Sequence, residues 1–241
     1  MISGTTQLIA HLGYPTESFK APMIYNPWFE KRGIDAVVVP MGVKPGDYAG
    51  TLAALARVTN LKGALVTMPH KVTTLSLADE ITPTARIAGA CNALLLRPDG
   101  TWLGDQFDGA GFVRGLLRKG RTLRGARVIV SGAGGVGSAI AASLAQAGVS
   151  ALGLYDVNAA SAQGLGERLQ QHYPALEVRV GSNDPEGFDL VVNATPMGMN
   201  AGDPLPMDVS RIAPSALVGE VVMRTEMTAF LAAARARGCT V

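Results

Sequence analysis

The run from Arg127 to Asp156, RVIVSGAGGVGSAIAASLAQAGVSALGLYD, narrows the possible folds more than any other stretch of the chain. Val128, Ile129 and Val130 form a continuous apolar run, as expected of a parallel strand covered on both faces. Gly132-Ala133-Gly134-Gly135-Val136-Gly137 then satisfies G-x-G-x-x-G. In that pattern the first glycine permits a tight turn, the second lets backbone approach a pyrophosphate, and the third allows close helix packing. A helix predicted from about Gly135 to Ala147, with Gly148 as C-cap, aims unpaired N–H groups and its dipole at a phosphate. A second apolar run, Ala151 to Tyr155, ends in Asp156, nineteen residues beyond Gly137. Strand, loop, helix, strand and acid together predict a dinucleotide held by Gly132, Gly134, Gly135, Val136 and Gly137.

Asp156 bears on which dinucleotide. A carboxylate there accepts hydrogen bonds from an adenosine ribose and repels a 2'-phosphate, and Val157 and Asn158 bring no arginine to neutralise one. NAD rather than NADP is therefore expected. Asp156 could equally cap the helix that starts near Ala159, and the two roles are compatible.

A chain of 241 residues, 48% hydrophobic and 17% charged, suits two modest domains with a sizeable core. A net charge of +2, with no block of like charge, gives no case for nucleic acid or a membrane surface as partner. Cys91 and Cys239 form neither a disulfide framework nor a zinc spacing, so no metal is expected. Without a leader or a long apolar run, a cytoplasmic protein is expected.

The first hundred residues alternate strand and helix in the manner of a parallel sheet. Strands are expected at Gln7 to Leu12, Ala36 to Val39 and Gly63 to Thr67. Helices are expected at Ala21 to Lys31, with Ile24, Trp28 and Phe29 on one face, and at Asp47 to Arg57, with Leu52, Leu55 and Ala56 inward. Past the third strand, Thr67-Met68-Pro69-His70-Lys71 sets a lysine just beyond a strand's carboxyl end, where open α/β sheets bind ligands. Another strand begins at Gly89-Ala90-Cys91-Asn92-Ala93-Leu94, and a helix follows Gly104 to Gly111. In the second half, helix Ala160 to Gln170, strands Glu177 to Val180, Leu190 to Ala194 and Leu217 to Val222, and helix Thr228 to Arg237 complete a dinucleotide fold. Asn193, beside the loop opened by Thr195, could brace that loop or bond the cofactor.

Seven pieces, in order, resemble the shikimate dehydrogenase family along essentially the whole chain. They are Gly13-Tyr14-Pro15; Pro22 with Asn26 and Phe29; Val66 to Lys71; Gly89 to Asn92; Asp108 to Phe112; the glycine loop; and Val192 to Met199. The resemblance implies an α/β enzyme with an N-terminal substrate-binding domain, residues 1–108, and a C-terminal Rossmann dinucleotide-binding domain, residues 109–241. It implies hydride transfer at a ring hydroxyl across the cleft between them. Lys71 and Asp108 match the family's catalytic pair, Thr67 and Asn92 match residues that bond shikimate's hydroxyls, and Val221 matches an apolar shelf for the nicotinamide. The chemistry agrees, since oxidising a secondary alcohol requires a base within reach of its proton. Lys71 is read as the proton-transfer residue and Asp108 as its orienting partner. Plain helix capping for Asp108 and a turn role for Asn92 are the competing readings.

Departures from the family pattern fall on the substrate pocket. Where the family places two serines to hold the substrate's carboxylate, this chain has Phe19 and Ala21, with Ser18, Lys20 or Tyr25 as possible substitutes. Hydrogen bonds to charged groups are worth roughly 1.5 to 3 kcal/mol each, so losing two weakens shikimate binding by about two to four orders of magnitude. Leu65 replaces an asparagine, Gln106-Phe107 an Asn-Thr pair and Met223 a tyrosine. The expectation is an NAD-dependent, shikimate dehydrogenase-like enzyme for a cyclic hydroxy acid, weak on shikimate. The alternatives are a quinate or aminoshikimate dehydrogenase, or a non-catalytic binding homologue. Family members usually continue past this point with a helix that returns to the first domain. If the chain naturally ends at Val241, an apolar face of the first domain would be uncovered, and a homo-oligomer is then expected.

Overall fold

The structure, a computed structural model, describes residues 2–17 and 19–241, so Ser18 lies outside the described residues. The chain divides into two compact units, residues 1–107 and 108–241.

The first unit carries β1 (Gln7–Gly13), α1 (Ala21–Arg32), β2 (Ala36–Gly42), α2 (Tyr48–Leu55), β3 (Leu61–Val66), α3 (Lys71–Leu77), β4 (Glu80–Ile81), α4 (Pro83–Ala88), β5 (Ala93–Leu96) and β6 (Trp102–Asp105). Its six-stranded sheet runs β2-β1-β3-β5-β6-β4. The expected parallel sheet is correct for β1, β2 and β3 and for the short pair of β4 with β6, whereas β5 pairs antiparallel with both β3 and β6. The short turn around Pro98 to Gly100 joins β5 and β6 directly, and so tight a connection permits only antiparallel neighbours. β2 continues through Pro40, which a strand at the edge of a sheet tolerates because it needs no second ladder bond.

Ala10, Leu12, Ala64 and Val66 point to one face of this sheet and pack with Tyr48 and Leu52 from α2. Helix α1 turns inward less than its sequence predicts. Phe29 is buried, whereas Ile24 and Trp28 are 64% and 47% exposed. The Asn26 side chain fixes that rotation, donating to the Val38 carbonyl at 3.1 Å and accepting from the Val38 N–H at 2.8 Å.

The second unit carries α5 (Asp108–Arg118), β7 (Arg127–Ser131), α6 (Gly135–Gln146), β8 (Ala151–Tyr155), α7 (Ala159–His172), β9 (Glu177–Val180), β10 (Leu190–Asn193), β11 (Leu217–Glu220) and α8 (Ala229–Ala236). Its five strands run β11-β10-β7-β8-β9, all parallel, a Rossmann-like sheet. Val128, Ile129 and Val130 are at most 1% exposed, as the unbroken apolar run requires. Among the described residues no helix is long and apolar enough to cross a membrane, and no cluster of three His, Cys, Asp or Glu side chains could hold a metal.

Candidate active site

In the first unit the site is built at the carboxyl ends of β1 and β3. Since Ala10 and Leu12 enter the core, the alternation of a strand turns His11 and Gly13 to the opposite face. His11 lies in register with Leu65, and Thr67 follows two residues on, so His11, Leu65 and Thr67 share that face. A Cβ on Gly13 would collide with Thr67 Cγ2 and stand 2.9 Å from Phe19 Cζ, so only glycine lets these two side chains close over β1. The Phe19 ring lies against His11, centroids 4.2 Å apart and tilted by 35°. Ala21 begins α1, and that helix start has no side-chain cap.

Lys71 is the first residue of α3 and is anchored by its neighbours. His70 is 2% exposed, stacks on Tyr48 at 4.0 Å and donates from Nε2 to the Val43 carbonyl at 2.8 Å. The Thr74 hydroxyl donates to the His70 carbonyl at 2.8 Å, which leaves the Tyr48 hydroxyl to donate to Thr74 Oγ1 at 2.6 Å. Burial, more than any charge nearby, pushes the Tyr48 phenol up to about 12, so it remains a donor. The Lys71 carbonyl accepts from the Cys91 N–H at 2.8 Å. Tyr48, His70 and Thr74 were missed by sequence reasoning. Their only trace is a histidine and a threonine flanking the lysine at positions where a surface helix start would be indifferent to them.

Asn92 ties the same region to the chain ahead of Asp108. Its carbonyl accepts from the Val66 N–H at 2.8 Å, and its side-chain Oδ1 accepts from the Phe107 N–H at 2.9 Å. Asp108 follows as the first residue of α5. Phe107 is 56% exposed and Gln106 is buried at 1%.

In the second unit Gly132 has φ +104°, and a Cβ there would stand 2.6 Å from the Ala194 carbonyl oxygen. A Cβ on Gly137 would collide with the Gly132 carbonyl oxygen, which explains the third glycine. Nothing lies within 4 Å of where a Gly134 Cβ would be, so the loop is open where a pyrophosphate would approach. Gly135, Val136 and Gly137 open α6, whose first N–H groups have no partner within the helix. These features fit a dinucleotide.

The Asp156 carboxylate is fixed rather than swinging. Oδ2 accepts from the Ala133 N–H at 2.7 Å and Oδ1 from the Asn158 N–H at 2.8 Å. Asn158, not Asp156, caps α7, accepting from the Ala160 N–H at 3.2 Å. Asn193 is fully buried. Its amide donates to the Met197 carbonyl and to Glu220 Oε2, both at 3.1 Å, and accepts from the Thr195 N–H at 3.0 Å and the Thr195 hydroxyl at 2.7 Å. With both donors and both acceptor positions engaged by protein, Asn193 braces the Thr195 loop, and of its two readings this is the one the hydrogen bonds support. Val221 is half-buried beside it, its N–H donating to the Asn193 carbonyl at 3.1 Å.

The family model for the shikimate dehydrogenase substrate-binding domain matches residues 12–94, and that of the ThiF family matches residues 115–179. A curated shikimate dehydrogenase (NADP(+)) from Rubrobacter xylanophilus is 37% identical over 241 residues, covering 98% of this chain and 84% of that protein. The shikimate 5-dehydrogenase of Listeria monocytogenes, solved in complex with shikimate and NAD, superposes with a TM-score of 0.90 at 26% identity, covering 99% of this chain and 86% of that one. The quinate dehydrogenase of Corynebacterium glutamicum, solved in complex with NAD, superposes with a TM-score of 0.85 at 29% identity, covering 97% of this chain and 86% of that one.

Proposed function

This chain belongs to the shikimate dehydrogenase family, and from that premise we propose that it is an NAD-dependent oxidoreductase acting at a ring hydroxyl of shikimate or a related cyclic hydroxy acid. The observation that carries the reading is the fixed start of α3 at the end of β3, where the Tyr48, His70 and Thr74 bonds hold the turn that carries Lys71. A solvated surface lysine needs no such support.

In this reading Lys71 in its neutral amine form takes the hydroxyl proton as the alcohol becomes a ketone, and as the resulting ammonium returns it in the reverse direction. Asp108 orients the ammonium, while Thr67 and Asn92 hold the ring hydroxyls. The nicotinamide, when bound, takes up or gives back the hydride. Gly132, Gly134, Gly135, Val136 and Gly137 would hold the pyrophosphate, Thr195 would line the cofactor site on the loop that Asn193 braces, and Val221 would offer the nicotinamide an apolar side chain.

Preference for NAD over NADP rests on Asp156. Its carboxylate is tied by two backbone N–H groups at 2.7 and 2.8 Å, and it could not swing aside for a 2'-phosphate without breaking them. The Rubrobacter relative is named for NADP(+), so this preference is where the chain parts from that relative. Weak use of shikimate follows from Phe19 and Ala21, which offer the carboxylate no hydroxyl. The likeness to a quinate dehydrogenase makes quinate the second substrate to test. A cytoplasmic homo-oligomer completes the proposal, the latter supported by the exposed apolar side chains of α1; light scattering showing a monomer at micromolar concentration would remove it.

The test is NADH formation with a panel of ring acids including shikimate, quinate and an amino analogue. Turnover of at least one, slower on shikimate than in biosynthetic relatives, is expected. Binding of NAD without turnover of any would leave a nucleotide-binding homologue instead.

A further inference from the structure

His11 has no part in the assignments above, yet it lies on the same face of the sheet as Thr67 and in register with Leu65. It is 6% exposed, and its Nδ1 is buried without a hydrogen-bond partner. Leaving a polar atom orphaned inside a protein is costly, and that cost persists only where something offsets it. Packing alone does not explain the choice, since the Phe19 ring covers the imidazole at 4.2 Å and would stack as well on phenylalanine. The local chemistry is also adverse to charge. Burial, then the nearby Lys71 ammonium, holds the imidazole below its usual range, so it is neutral at pH 7. A neutral imidazole has one nitrogen that donates and one that accepts.

We propose that His11 is a substrate-binding residue whose Nδ1 hydrogen-bonds an oxygen of the bound ring acid, beside Phe19 and on the face that carries Thr67. The inference rests on the function proposed above and deepens it. Beside Phe19 and Leu65, which make that wall apolar, His11 brings a polar atom from β1. Because the Phe19 ring lies against the imidazole and Nδ1 is buried, the bond forms only when that ring turns aside for the ligand. His11 thereby selects for ring acids with an oxygen at that position and against those without one.

Two variants and one observation on the unaltered protein test this. His11→Phe keeps a ring against Phe19 and deletes Nδ1, whereas His11→Asn places an amide near the Nδ1 position. With the best ring acid from the panel, His11→Phe should raise KM by ~10- to 100-fold and leave kcat within about threefold, the signature of lost ground-state binding. His11→Asn should recover most of that loss. In the wild-type enzyme, saturating shikimate should shift the His11 ring ¹⁵N resonances, which keeps the test open if a variant fails to fold. Repeating the kinetics with methyl shikimate identifies the oxygen. A penalty that persists assigns a ring hydroxyl, and one that vanishes assigns the carboxylate. An unchanged KM in His11→Phe, a fall confined to kcat, or unmoved ring resonances at saturation would each overturn the inference while leaving an active dehydrogenase. A wild-type enzyme that turns over no ring acid would remove the function and this inference together.

Discussion

Replacing Asp156 by serine, alone and with Val157→Arg, tests the cofactor reading quantitatively. Two unit charges ~4 Å apart interact by about 4 kcal/mol at an effective dielectric constant of 20, and Asp156 is half-exposed, so screening reduces this to about 1 to 2 kcal/mol. Removing that repulsion should improve NADP use relative to NAD by ~5- to 30-fold. Val157 is 86% exposed next to Asp156, so an arginine there has room to reach a 2'-phosphate. A charge-assisted bond of about 1.5 to 3 kcal/mol raises the combined change to roughly 10²- to 5 × 10³-fold. NAD should bind somewhat worse in both variants, since serine replaces only one of the carboxylate's two bonds to Ala133 and Asn158. The assay is kcat/KM with each cofactor at saturating ring acid. Equal or better use of NADP by the wild-type enzyme, or a ratio unmoved by Asp156→Ser, would refute the argument.

Tyr48→Phe deletes a buried hydroxyl that donates at 2.6 Å to Thr74, and should cost about 1 kcal/mol in a urea melt; it should also lower kcat more than it raises KM, because the Thr74–His70 bond that fixes the turn carrying Lys71 loses its support. A variant as stable and as active as wild type would remove the anchoring role. His11, whose folded-state pKa lies below its ordinary value of 6.5, binds its proton less readily when folded than when unfolded. Its contribution is therefore harmless above pH 6.5 and destabilising as pH falls below it, so His11→Phe should flatten the decline of Tm on the acid side of 6.5. Parallel declines in the two proteins would contradict that.

Much of the second unit was legible because each signal there is local. An apolar run and spaced glycines define strand and turn within thirty residues, and β8 and β9 have their expected bounds. The first unit was less so. The antiparallel β5 and β6 depend on which strand β5 finds as a neighbour, a long-range choice that no local pattern carries. Ile24 and Trp28 read as an inward face from spacing alone, but the Asn26 bonds to Val38 set the helix rotation. The anchoring of Lys71 was invisible for the same reason, because Tyr48 and Val43 meet His70 from distant parts of the sequence. His11 was hidden by strand alternation. Its neighbours Ala10 and Leu12 declare the core face, but only the register with Leu65 shows what the other face approaches.

The central claim is that Lys71, working with Asp108, moves the proton that must accompany hydride transfer. Its most direct test is a cycle of Lys71→Ala, Asp108→Asn and the double variant, assayed by NADH formation with the best ring acid and by calorimetric binding of the same acid. The account predicts that Lys71→Ala loses ~10²- to 10⁴-fold in kcat while still binding the acid, and that adding Asp108→Asn costs little more, since the two act as one unit. Normal turnover by Lys71→Ala with binding intact, or full additivity of the two changes, would contradict it.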